Sequence, residues 1–90
     1  MTPRDPAALL AELKALVLEA AERPEPPGGL ADDEVLFGAQ TRLALDSLDA
    51  LQISMAIQRR YGVRMADSKE TRRALRSIGE LAAFLQARMA

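Results

Sequence analysis

The chain has no cysteine, so neither a disulfide framework nor a thiolate metal site is open to it. It also has no histidine, which removes imidazole general bases, His-based triads and the common zinc and haem ligand sets. With both missing, independent catalysis has few side chains to draw on, and a non-enzyme is the expectation. Aromatics are 3% of the residues: Phe37, Tyr61 and Phe84. β-Branched residues are also few, and the apolar 49% is mostly Ala and Leu, a balance that favours helix over strand. The apolar runs are only a few residues long, far short of a membrane span. The opening Met1-Thr2-Pro3-Arg4-Asp5-Pro6 lacks the basic-then-apolar layout of a secretory signal, so a cytoplasmic location is expected.

What remains is an Ala/Leu/Arg/Glu-rich chain of 90 residues without an internal repeat, read as a single domain over residues 1–90. After a short start punctuated by Pro3 and Pro6, Asp5-Pro6 supplies an N-cap and a first-turn proline. Leu9, Leu10, Leu13, Leu16, Val17 and Ala20 then recur at helical spacing, which predicts an amphipathic helix from about Pro6 to Glu22. Arg23-Pro24-Glu25-Pro26-Pro27-Gly28-Gly29 ends it, because three prolines remove donors and two glycines permit a reversal.

A long connection follows, roughly to Asp46, with one helical turn expected at Asp32-Asp33-Glu34. Loops of this length are ordered by packing or by function. Here Leu36 or Phe37 should be pinned under the helices, with Gly38 permitting the bend. Asp46 and Ser47 are both good N-cap types, and a second helix opens at Leu48 and stops at Gly62. Its apolar residues fall in two stripes. Ile53, Ile57 and Tyr61 are assigned to the core, while Leu48, Leu51 and Met55 form an exposed patch of the kind that marks an interaction surface. Val63 and Met65 should be buried in a short turn. Asp67-Ser68 can cap a third helix to about Leu75, with Ala74 and Leu75 inward. Ser77 can cap a fourth, whose apolar side holds Ile78, Leu81, Ala82 and Leu85.

Net charge is -1 but is unevenly spread. Asp32, Asp33, Glu34, Asp46 and Asp49 precede a segment rich in Arg and Lys that runs from Arg59 to Arg76. Lys69, Arg72, Arg73 and Arg76 lie at i, i+3, i+4 and i+7 and are expected on one helical face. That face reads either as solvated charge or as a recognition surface for acidic partners. Near-neutral net charge argues against a nucleic-acid role.

Ser47 is the candidate that organises the rest. It stands at a helix start, at the end of a long loop, between two carboxylates and beside Leu48 and Leu51. One reading is a cap, with Ser47 or Asp46 accepting from backbone N–H groups and Asp49 complementing the helix dipole. The other is chemistry. There is no histidine, and no lysine lies near it in sequence, so it is a poor nucleophile alone and would have to be activated by another protein. That describes a modified serine rather than a catalytic one.

Leu45-Asp46-Ser47-Leu48-Asp49-Ala50-Leu51, followed by Ile53, Ile57 and Tyr61-Gly62-Val63, resembles an acyl carrier protein. The likeness extends through the first helix, the Leu36-Phe37-Gly38 loop, the short third helix and Ser77-Ile78-Gly79-Glu80-Leu81-Ala82. It implies an all-α four-helix bundle of acyl-carrier type with a long first loop and a short third helix. It implies that Ser47 takes 4'-phosphopantetheine from coenzyme A as a phosphodiester, made by a phosphopantetheinyl transferase, and that Asp46 helps position the serine and the transferase's Mg²⁺. The arm's thiol would carry acyl groups as thioesters, which suits a chain without its own cysteine, and the apolar interior would shelter the cargo. Leu48, Leu51 and Met55, with Asp49 adding charge, would meet partner enzymes of the ketosynthase, ketoreductase, dehydratase and acyltransferase types. No catalytic residue, resident metal or membrane span is implied, and the carrier is expected to be monomeric on its own.

The chain departs from the family in charge. Acyl carriers have a Glu-rich second helix, whereas this one carries only Asp49 and ends Gln58-Arg59-Arg60. The basic stripe is also unusual, which makes Arg72, Arg73 and Arg76 candidates for dedicated partner contacts. The stretch from Asp67 to Ile78 is similar to carriers of aryl-polyene or related bacterial pigment pathways. Two alternatives stay open. Peptidyl or aminoacyl carriers more often show Gly-Gly-x-Ser-Leu before the helix, where this chain has Ala44-Leu45-Asp46-Ser47-Leu48. In a non-carrier adaptor, Ser47 would be only a cap and Leu48, Leu51 and Met55 would fill a partner's groove.

Overall fold

The computed structural model describes residues 5–65 and 68–89. Within them the chain is all-helical: α1 (Pro6–Ala20), α2 (Ser47–Tyr61), α3 (Ser68–Ala74) and α4 (Ile78–Met89) form a bundle. α1 packs against α2 and α4, and α3 packs against α4. Among the described residues the extended backbone pairing is a single parallel bridge, Phe37 with Leu45. The Asp67 half of the expected third-helix cap, and Pro3 of the expected start, lie outside the described residues.

α1 begins as its sequence dictates. The Asp5 carboxylate accepts from the Ala7 N–H at 3.3 Å, and Pro6 occupies a first-turn position where its missing N–H costs nothing. Leu9, Leu13 and Val17 are fully buried and Leu16 nearly so. Each such side chain contributes about 1.5–3 kcal/mol when taken wholly out of water. The helix stops two residues before the expected Glu22. Glu22 is left-handed (φ +54°), Arg23 N–H donates to Leu18 O at 2.9 Å and Glu22 N–H to Glu19 O at 3.2 Å. This is the paired 6→1 and 5→2 closure of a Schellman end, with glutamate where glycine is usual. The chain reverses there, before the prolines.

At Asp32-Asp33-Glu34, where the sequence suggests one helical turn, the long connection makes a turn and a bend that do not continue into a helix. These residues are drawn elsewhere. Asp32 pairs with Lys14 of α1 at 2.6 Å, and its carbonyl accepts from Gly79 N–H at 2.7 Å. Glu34 accepts from Ala31 N–H at 2.8 Å and from the Arg42 fork at 3.0 and 2.6 Å. Arg42 also donates to the carbonyls of Pro27 and Gly29, so one side chain closes the loop on itself. Leu36 is the fully buried anchor, with Phe37 half-buried beside it. Gly38 has φ +110°, a value only glycine adopts readily.

α2 divides as its two stripes predict. Ile53 and Ile57 are fully buried, and Tyr61 is half-buried with its hydroxyl donating to Glu12 of α1 at 3.2 Å. Gly62 ends the helix at φ +71° and donates to Gln58 O. Val63 is buried but Met65 only partly so, less than expected. α3 ends at Ala74 rather than Leu75, so Arg76 falls in the turn beyond it and not on a continuous four-residue basic face. α3 is tied to α4 by the Glu70–Arg88 ion pair, with Arg88 also over the Phe84 ring. Ser77 caps α4, its hydroxyl accepting from Glu80 N–H at 3.2 Å.

Candidate functional site

Ser47 is placed by the backbone that approaches it. Leu45 N–H donates to Leu36 O at 3.2 Å and Gly38 N–H to Leu45 O at 3.1 Å, so the residue two before the serine is locked to the loop anchor. Leu36 N–H in turn donates to Arg76 O at 3.0 Å, fastening that anchor to the turn after α3. Leu45 is buried, while Asp46 and Ser47 emerge at the surface.

The two N-cap candidates take different roles. Asp46, in an extended conformation, is the cap: its carboxylate accepts from Asp49 N–H at 3.0 Å. Asp49 reciprocates, its carboxylate accepting from Asp46 N–H at 3.0 Å, which completes a capping box. Ser47 is the first helical residue, and among the described residues its hydroxyl makes no hydrogen bond. The hydroxyl is therefore exposed and not consumed by the helix end.

Asp46 is held below the usual carboxylate range, first by the Asp49 N–H, then by the Asp49 side chain, the Leu48 N–H and the charge of Arg23. Asp49 is expected on the surface as a partner charge, but its carboxylate faces inward. It pairs with Arg23 at 3.2 Å, and its side chain is only 13% exposed. Arg23 also donates to Ala21 O at 2.9 Å and Leu43 O at 3.3 Å. One guanidinium thus joins the end of α1, the approach loop and the first turn of α2. Sequence reading missed Arg23, whose partners lie 20 and 26 residues away and leave no local period.

A cleft of about 390 Å³ opens beside Ser47. Its apolar side is Val35, Phe37, Leu45, Ala50 and Leu75. Asp46, Ser47, Thr71, Arg72 and Arg76 complete it, so two of the three candidate arginines are brought to the serine. Arg73 is exposed on α3 and does not line the cleft. Leu48, Leu51 and Met55 are 64%, 57% and 50% exposed, an uncovered apolar stripe running down α2 from the same end. Among the described residues no group of three or more acidic side chains gathers as a metal site, and no helix is long and apolar enough to cross a membrane.

An exposed hydroxyl that the fold does not use, at a rigid corner and beside an open cleft, fits a covalently attached arm. Neither the curated proteins nor the solved structures compared with the chain gave a match. Residues 11–85 match a family model described as a phosphopantetheine attachment site. The chain belongs to that family, whose members carry 4'-phosphopantetheine covalently.

Proposed function

We propose that this protein is a non-catalytic acyl carrier and that Ser47 bears its 4'-phosphopantetheine. The observation that carries the reading is the division of labour at the start of α2: Asp46 caps the helix and leaves the Ser47 hydroxyl exposed. In the attachment step the Ser47 oxygen forms a new P–O bond to the phosphopantetheine phosphate of coenzyme A. The pyrophosphate bond breaks, 3',5'-ADP leaves, and the hydroxyl proton passes to a base on the transferase. The chain offers no imidazole or thiolate for that role. Asp46, kept ionised by its N–H donors, stands beside the reacting oxygen and suits the transferase's Mg²⁺.

When attached, the arm supplies a terminal thiol that holds cargo as a thioester. Leu48, Leu51 and Met55 are the proposed landing stripe for the transferase and for biosynthetic enzymes, with Arg72, Arg73 and Arg76 as its charged flank. Asp49 has no outward charge to give, and its contribution is to fix the corner. Acyl cargo in a fatty-acid-like or polyketide-like pathway, aryl-polyene assembly included, is favoured over aminoacyl cargo by Leu45-Asp46-Ser47-Leu48 in place of a Gly-Gly approach.

The test is incubation with coenzyme A, Mg²⁺ and a promiscuous phosphopantetheinyl transferase, read by intact mass. Wild type should gain one phosphopantetheine. Ser47→Ala should gain none while keeping its helical circular dichroism. A modified Ser47→Ala protein would refute the site, and an unmodified wild type would refute the carrier reading.

A further inference from the structure

Arg23 and Arg42, the arginines of the loop side, are fully engaged with backbone carbonyls and carboxylates. The two arginines in the cleft differ. Arg72 and Arg76 are exposed, and among the described residues neither guanidinium has a hydrogen-bonding or ionic partner. Both line the same small space as Ser47. Two unpaired cations beside an apolar wall are built for an anion that carries hydrocarbon.

A phosphodiester on Ser47 would meet that description. It places a negative charge next to the ionised Asp46 carboxylate, a repulsive pairing. The start of α2 offers limited relief, because Asp46 already takes the Asp49 N–H. Compensation has to come from side chains, and guanidinium is the group best matched to phosphate oxygens. Beyond the phosphate, the arm's next carbons carry two methyl groups, which suit the wall of Phe37 and Leu75. The volume, about 390 Å³, lies within the range of about 300–1,000 Å³ typical of small-molecule sites.

We infer that Arg72 and Arg76 hold the phosphodiester of the arm in cis, seating its proximal half in the cleft between the approach loop and α3. The inference rests on Ser47 as the attachment residue. The bound arm also bridges two segments otherwise joined there through the Leu36 N–H to Arg76 O bond, so loading should stabilise the fold.

The experiment compares apo and holo forms of wild type, of Arg72→Gln/Arg76→Gln and of Arg59→Gln/Arg64→Gln, an equal loss of charge outside the cleft. Each holo form is first verified by mass. Thermal unfolding then gives the apo-to-holo difference within each protein, which cancels any effect of substitution on the apo fold. The ³¹P resonance of each holo form is recorded alongside it. In wild type, loading should raise Tm by about 4 °C or more, the shift expected of one added charge-assisted contact in a domain of this size. That gain should vanish in Arg72→Gln/Arg76→Gln, with a displaced and sharpened ³¹P signal, and should persist in the control. In about 1 M salt the wild-type gain should shrink. Equal Tm values for apo and holo wild type, or an equal loss in the control, would overturn the inference while leaving the carrier function intact. Absence of the mass gain would instead refute the assignment of Ser47 itself.

Discussion

Replacing Arg23 with alanine removes three contacts and opens no cavity, because the guanidinium is part-exposed. The bond to Ala21 O is short at 2.9 Å, and that to Leu43 O, at 3.3 Å, is weaker. Neutral-acceptor hydrogen bonds of this kind contribute about 0.5–1.5 kcal/mol each. The pair with Asp49 joins a 35% exposed cation to a 13% exposed anion, and solvent screening keeps it to about 1 kcal/mol. The expected loss is therefore about 2 kcal/mol. In a domain of about 90 residues that lowers Tm by roughly 8–16 °C. Circular dichroism melts and urea titrations measure it. Lysine should not rescue, since one ammonium cannot reach three acceptors in the fork's directions. The charge pair is isolated by a double-mutant cycle with Asp49→Asn, whose amide oxygen can still accept from Asp46 N–H. The coupling should be about 0.5–1 kcal/mol. A Tm for Arg23→Ala within about 2 °C of wild type, or zero coupling in the cycle, would refute the view that Arg23 clamps the serine's corner.

The remaining predictions concern surface and pH. Leu51→Ala and Met55→Ala should each change folding stability by less than about 0.5 kcal/mol, because both side chains are at least half exposed. They should weaken binding of a phosphopantetheinyl transferase about 5-fold or more, measured by titration calorimetry. Asp46 is held down chiefly by the Asp49 N–H and Glu34 chiefly by the Arg42 fork. A carboxylate with a lowered folded pKa contributes stability that is fully present above its unfolded value and lost as pH falls through the folded value. Tm should thus be nearly flat from pH 7 to about 5 and fall below about pH 4. Glu34→Gln and Asp46→Asn should each make that fall shallower, and parallel acid profiles in all three proteins would refute the assignment.

The parts of this fold that sequence reveals are those decided by neighbours along the chain. The leucine spacing of α1, the two stripes of α2, the Asp5 and Ser77 caps and the stop at Gly62 all follow from residues within a turn or two of one another. Sequence could not choose between Asp46 and Ser47 as the cap, because both types suit the position. The choice rests on where the approach loop delivers the backbone, and the Leu36–Leu45 pairing fixes that. The turn at Asp32–Glu34 does not grow into a helix for a similar reason. Lys14, Arg42 and Gly79 claim those groups from far along the chain. Arg76 shows the opposite limit: its i+7 spacing is correct, but α3 ends first.

The offset of one residue between cap and serine has a physical consequence for a carrier. Were Ser47 the N-cap, loading would engage the oxygen that satisfies the helix end, and losing a cap costs about 0.5–2 kcal/mol. With Asp46 as the cap, braced by Asp49 and through it by Arg23, none of the capping contacts uses the Ser47 hydroxyl. The helix cap itself therefore does not depend on a free hydroxyl at Ser47, the proposed attachment residue. The acidic residues that flank the serine are accounted for on the same terms. One holds the helix and presents its charge, and the other turns inward to fix the corner, which leaves the outward surface of α2 to Leu48, Leu51 and Met55. Recognition built on that surface would be mainly apolar, with positive charge at the cleft. A partner adapted to an acidic second helix would find little on this chain to hold.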